Sequence, residues 1–346
     1  MCERLCSAWT VTLHYQTLTA LAAALQRIGR TAAAAPLQDQ ARRICDDFQR
    51  LLIVDGTLTG YAYFHQDGRI DPLLHPDDPN TGIHFSLLPM IHAITNGMLT
   101  PEQARAHVEH IRTNLMALDG ARMFDRPFSY HGGPQRYFQR AESSTYFGRE
   151  IGLMYTHAHL RYAEAMARYG DADALFLALR QANPCSARSV VAAARLRQAN
   201  CYYSSSDALF ADRYEALSDY EKVKTGGIAF EGGWRVYSSG AGIAVHLIHD
   251  CMLGIRKSVS TLVVDPVIPK ALDGLSAGME LAGKPVTVVY RVGATGYGPT
   301  ALILNGTALP FEREANPYRT GGAAVSMEAL GRLLTGAANT LEVQLQ

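Results

Sequence analysis

The chain has 346 residues, 48% of them hydrophobic, with 32 basic and 32 acidic side chains and a formal net charge of zero. That length supports a large core and more than one compact unit. The charge balance argues against a nucleic-acid binder, which usually carries a basic excess or patch, but leaves room for a small anion held by a few local donors. The longest apolar stretches, such as Leu18–Leu25, are short, Ala-rich and interrupted, so no membrane span is read. Six scattered cysteines without CxxC or cysteine–histidine spacing fit reduced, mostly buried thiols, no metal and a cytoplasmic location.

In chain order, the spacing predicts helices over the first three quarters. Leu5–Ile28 and Gln38–Val54 place apolar residues at three- and four-residue steps, and Phe85–Met98 is apolar enough for a helix buried on most sides. Thr100-Pro-Glu-Gln is a helix start, with Thr as N-cap and Pro at the first helical position, and that helix should run to about Ala117. Ile151–Tyr169, Asp171–Ala182 and Ser239–Ile255 complete the series, the last being the final helix expected. Between them lie long polar connections at Gly56–Gly82, Asp119–Glu150 and Pro184–Gly240, of a length that usually carries function. Paired helices with elaborated loops point to an α/α toroid.

After about Lys257 the period changes. Ser260–Val264, Pro285–Val292, Ala301–Asn305 and Leu341–Gln346 are short β-branched runs, and Asn305-Gly306 is a hairpin turn. The expected domains are 1–256, helical, and 257–346, a small β-sandwich-like tail.

Three segments carry candidate chemistry. Tyr155-Thr-His-Ala-His-Leu-Arg puts His157 and Arg161 four apart on one helical face and His159 on another. A histidine at a helix entry can hold an anion beside exposed backbone N–H groups, although a hydrogen-bonded interior histidine has the same appearance. Tyr237-Ser-Ser-Gly-Ala-Gly precedes the last of these helices, where small residues let N–H groups approach an anion, or simply cap the helix. The loops with Asp125, Arg126, Glu142, Tyr203, Asp207, Arg213 and Glu231 mix aromatic, carboxylate and guanidinium groups, as sugar sites do and as ordinary loop packing also does. Hydrolysis of a glycoside needs two carboxylates, whereas phosphate as nucleophile needs one acid and an anion cradle. A cradle is legible; among Asp125, Glu142, Asp207, Glu215 and Glu231 no acid stands out.

At these residues the chain resembles glycoside hydrolase family 94, the inverting phosphorylases. Within it the match is best to those acting on β-1,2-oligoglucans (sophorooligosaccharides). The blocks are Thr81-Gly-Ile-His-Phe-Ser-Leu-Leu-Pro-Met, Phe147-Gly-Arg-Glu-Ile-Gly-Leu-Met-Tyr-Thr-His-Ala-His-Leu-Arg-Tyr, Tyr202-Tyr-Ser-Ser-Ser-Asp-Ala, Gly233-Trp-Arg-Val-Tyr-Ser-Ser-Gly and Val264-Asp-Pro-Val-Ile-Pro. The resemblance implies an (α/α)6 barrel followed by a C-terminal β-domain, and phosphorolysis of β-1,2-linked glucooligosaccharides to α-glucose 1-phosphate. It implies phosphate contacts from His157, Ser239 and Gly240, with inorganic phosphate as co-substrate and no cofactor. The family's general acid lies in an Asp-Trp-Asn-Asp-like stretch, yet Trp9 and Trp234 are the only tryptophans here and neither sits in one. The expectation is therefore an incomplete barrel with the acid upstream, a chain inactive alone, and a need for an N-terminal half or partner chain. The phosphorylase-like domain of a cyclic β-1,2-glucan synthase and a non-catalytic carbohydrate-binding remnant are the alternative readings.

Overall fold

A computed structural model describes residues 4–129, 154–336 and 338–346, and the statements below concern those residues. Helix makes up 41% and strand 23%, so the fold is mixed rather than mainly helical. The chain divides into two compact units, one of Met1–Tyr162 with Gln181–Tyr237 and one of Ala163–Arg180 with Ser238–Gln346.

The first unit opens with a three-residue strand, Leu5–Ser7, then two long helices, Ala8–Arg27 and Thr31–Leu51. The second of these begins seven residues before the expected Gln38 and carries Pro36 within it. Ser7 caps the first helix through its hydroxyl, which accepts from the Thr10 N–H at 3.3 Å. The connection expected at Gly56–Gly82 is partly sheet: Tyr61–Phe64 pairs with both Leu5–Ser7 and Ile70–Leu73. These strands are three or four residues long, too short for alternation to register against the helical pattern around them.

Leu87–Thr95 is the buried helix expected, with Leu87, Met90, Ile91, Ala93 and Ile94 all inaccessible. Thr100 forms a full capping box: its hydroxyl accepts from the Gln103 N–H, and the Gln103 amide oxygen accepts from the Thr100 N–H at 2.9 Å. The helix runs Pro101–His110, continues as a π-helical turn Ile111–Leu115, and ends in a two-residue strand. Met154–Tyr155 is a short strand, and the helix Thr156–Tyr169 starts immediately after it. The expected loop Pro184–Gly240 is also folded. Ser205–Ala208 forms the middle strand between Met154–Tyr155 and Phe230–Gly232, and Arg213–Asp219 is a helix capped by Asp212.

In the second unit, Ser238–His246 is helical, a π-helical turn follows to Met252, and Ile255, expected in the helix, starts a strand instead. A four-stranded and a five-stranded sheet share one apolar core. In Lys284–Arg291 the residues Val286, Val288 and Tyr290 point inward and alternate with exposed or half-exposed neighbours, the period-two pattern of a strand buried on one face. That strand runs parallel to Asn339–Leu345, which pairs antiparallel with Pro299–Leu304. The Asn305-Gly306 turn links Leu304 to Thr307 with φ of 51° and 82°, the left-handed pair that a two-residue hairpin requires. One further helix, Met327–Leu333, lies beyond the last one expected, its two turns being too short to show a period.

Candidate functional site

His157 is the second residue of the helix Thr156–Tyr169 and is half-buried. Its helix start is tied to the neighbouring strand, since the Thr156 N–H donates to the Ser204 carbonyl at 2.9 Å. His159 is fully buried, and its Nδ1 accepts the Ala121 N–H at 3.0 Å. Gly120, at φ of +133°, lets the backbone come this close, because a Cβ there would lie 2.7 Å from the same nitrogen. His159 is thus an interior acceptor, and of the two histidines only His157 keeps partial access to solvent.

Ser239 is exposed and Gly240 buried, both in the first turn of Ser238–His246, where backbone N–H groups have no intrahelical acceptor. Two residues before His157 stands Tyr155, and two before Ser239 stands Tyr237. Their hydroxyls are 2.8 Å apart. The Tyr237 N–H also donates to the Tyr202 carbonyl at 2.9 Å, so three of the motif blocks meet here within the first unit.

The other sequence candidates fall into distinct environments. Asp125 is buried; one carboxylate oxygen accepts from the His84 and Phe85 N–H groups at 2.8 and 3.0 Å. Its other oxygen accepts from Arg126 Nε at 3.1 Å and lies 3.4 Å from His84 Nδ1. Arg213 is buried and donates to the Phe128 carbonyl at 2.6 Å. The Tyr203 hydroxyl accepts the Gln198 N–H at 2.8 Å, and Arg197 stacks over the Tyr203 ring. Glu231 is exposed and pairs with Arg195 at 3.5 Å. Glu142 lies outside the described residues, as do Phe147–Leu153 of the second motif block.

Asp207 belongs to a buried polar cluster that the sequence does not reveal. Arg122 and Asp119, each only 1% exposed, form an ion pair at 2.7 Å. Arg197 donates to the Ser206 hydroxyl at 2.8 Å, and Ser206 also hydrogen-bonds Asp119. Burial pushes the Asp119 carboxyl above its ordinary range despite Arg122 and Ser206, and pushes Asp207 upward despite its bond to Ser205. One signal was present: an acidic and a basic residue three apart across Asp119-Gly-Ala-Arg122, flanking a glycine. Nothing in it distinguishes a buried pair from an exposed turn. In chemical terms the cluster fixes the strand Ser205–Ala208, which in turn holds Met154–Tyr155 and the start of the His157 helix.

Among the described residues no helix is long and apolar enough to cross a membrane, and no group of three His, Cys, Asp or Glu side chains could hold a metal ion.

Comparison with known proteins gives the chemistry a context. Residues 254–342 match the glycoside phosphorylase C-terminal domain. The chain is 38% identical over 320 residues to the 1,2-beta-oligoglucan phosphorylase of Listeria innocua, an alignment covering 92% of this chain and 28% of that protein. Among solved structures, a sialidase is similar with a TM-score of 0.52 at 12% identity, covering 92% of this chain and 26% of that one, a likeness of fold alone. The chain thus spans little more than a quarter of the proteins it matches. The similarity to glycoside phosphorylases thus rests on residues 254–342 for the family model and on nearly the whole chain for the Listeria innocua relative.

Proposed function

We propose that this chain supplies the C-terminal portion of an inverting glycoside phosphorylase that cleaves β-1,2-linked glucooligosaccharides with inorganic phosphate. In this reaction a phosphate oxygen forms a bond to the anomeric carbon from the face opposite the leaving sugar. The glycosidic C–O bond breaks, and its oxygen takes a proton from a carboxylic acid. Inversion converts the β-linkage into α-glucose 1-phosphate. In this reading the acid comes from another segment of the whole protein, the helices belong to an (α/α)6 barrel, and phosphate is a co-substrate with no cofactor required. A cytoplasmic site of action belongs to the same reading.

His157, Ser239 and Gly240 are assigned to phosphate. An imidazole and helix-start N–H groups would offset the charge that develops as the oxyanion attacks. The observation that supports the assignment is the 2.8 Å contact between the Tyr155 and Tyr237 hydroxyls, which joins two of the motif blocks within the first unit. Arg126, Glu231 and Tyr203 remain assigned to sugar hydroxyls and rings, and Asp125, Asp207 and Arg213 to the framework beneath them.

The test uses the whole protein, or this chain completed by its remaining segments, with release of α-glucose 1-phosphate as readout. His157→Ala is expected to lower kcat/KM for phosphate about 10²–10³-fold, as loss of an oxyanion-binding donor does. Unchanged phosphorolysis would refute the role of His157.

A further inference from the structure

Trp234 is 78% exposed, and Val236 beside it 80%. Neither is loosely held. The Ser204 hydroxyl accepts the Trp234 N–H at 3.0 Å, and the Trp234 carbonyl accepts the Ser204 N–H at 2.9 Å. Gly232 and Gly233 let this ribbon lie directly on the strand beneath: a Cβ on Gly233 would sit 2.0 Å from Ser205 Oγ, and one on Gly232 2.3 Å from the Tyr203 ring. Val236 adopts φ of +58°, a region a β-branched residue rarely enters. The backbone of Trp234 is thus held at both its N–H and its carbonyl on a glycine-thinned and locally strained ribbon, with the indole exposed.

The flanks are polar and paired. Arg195 and Glu231 form an exposed ion pair at 3.5 Å, and Arg235 donates to the Gln198 amide oxygen at 3.2 Å. The segment carrying Arg195 and Gln198 runs beside the ribbon, since the Arg195 N–H donates to the Phe230 carbonyl at 2.7 Å. An exposed aromatic ring on a ribbon whose neighbouring residues Glu231 and Arg235 stand in a carboxylate–guanidinium and an amide–guanidinium pair suits a neutral polyol. The ring takes the C–H face of a pyranose, and the planar pairs take its hydroxyls. An anion would meet the Glu231 carboxylate, and an apolar protein partner would have to desolvate both pairs.

We propose that the Trp234 ridge is a sugar-stacking subsite that binds an internal residue of an extended β-linked oligoglucan, separate from the phosphate assignment. The identity of the glycan rests on the phosphorylase reading; the existence of the subsite does not. The test uses the 346-residue chain with Trp9→Phe, which leaves Trp234 as the only indole. Titration with β-1,2-glucooligosaccharides should give a saturable change in Trp234 emission that glucose at equal concentration does not produce. In calorimetry on the otherwise native chain, Trp234→Ala should weaken oligosaccharide binding roughly ten-fold or more, and Trp234→Phe, which keeps a ring, by less. Inorganic phosphate is titrated separately into the native chain and His157→Ala. Flat emission, or an unchanged oligosaccharide affinity in Trp234→Ala, overturns the subsite, whatever phosphate does. A normal emission change together with phosphate binding indifferent to His157→Ala supports the subsite and counts against the phosphate assignment instead.

Discussion

The two compact units bury different kinds of side chain. The second encloses a core of Leu, Ile and Val with Tyr290, and its most buried ion pair is the two-pronged contact of Arg319 with Asp265 at 2.7 and 3.0 Å. The first unit buries Asp119, Arg122, Arg197 and Arg213 together with His107 and His159. An aliphatic core tolerates its neighbours as long as volume is filled, and its strength is spread over many weak contacts. A buried charge is stable only with its specific partner, so each one concentrates sensitivity at a few atoms. The unit that buries more of these charges is also the one that carries His157, the Tyr155–Tyr237 contact and the Trp234 ribbon.

Mutations can sharpen or break this contrast. Arg122→Met should have the largest effect, about 3–5 kcal/mol of lost stability in urea unfolding at neutral pH, because the Asp119 carboxylate is left buried without its partner. The loss should shrink as the pH is lowered and that carboxyl becomes protonated. A loss below about 1 kcal/mol would mean that buried Asp119 does not depend on Arg122. In the other unit, Leu302→Ala removes an inaccessible side chain from the β core, and about 2–5 kcal/mol is expected from lost transfer energy and the cavity. Here the loss should not vary between pH 5 and 8, and a strong pH dependence would contradict the contrast.

The third prediction concerns His107, whose pKa burial lowers to about 4. Its Nε2 accepts the Leu58 N–H at 2.9 Å and its Nδ1 donates to the Gln103 carbonyl at 2.6 Å. The folded state therefore keeps it neutral where the unfolded chain, near 6.5, takes up a proton. Stability from this residue is full above about pH 6.5 and is lost as the pH falls toward about 4, on the order of 3 kcal/mol in all. Replacing it with Gln should flatten that part of the acid limb, measured as unfolding midpoint against pH. An acid limb identical to the native one would assign the loss elsewhere. Asp119 and Asp207 run the other way. Their raised values mean that the folded state holds protons the unfolded chain has already released, so their contribution declines as the pH rises through the carboxylate range.

Much of the framework was legible before any coordinates. Thr100 and Gln103 announced their helix because a capping box is made within four residues, and Asn305-Gly306 announced its hairpin because two left-handed residues are needed there. The motif blocks around His157, Ser239 and Val264 pointed to the glycoside phosphorylases, and comparison bears that resemblance out. The short strands at 61–64, 70–73 and 205–208 were read as loop, since three or four residues in a polar segment carry no usable period. For the candidate residues, composition identified the chemistry but not the surroundings. Asp125 and Glu231 look alike in sequence, yet one is buried on two backbone N–H groups and the other lies exposed beside Arg195.

What the chain by itself determined was whatever is decided within a turn or two: helix starts, hairpin turns, the switch from a helical to a strand period near Lys257, and motif spelling. What only the tertiary structure decided was which charges are buried together. Asp119 and Arg122 acquire Arg197 and Ser206 from segments more than seventy residues away. The physical reason is that the state of a charge depends on its solvent and its partners, and both are supplied by residues remote in sequence.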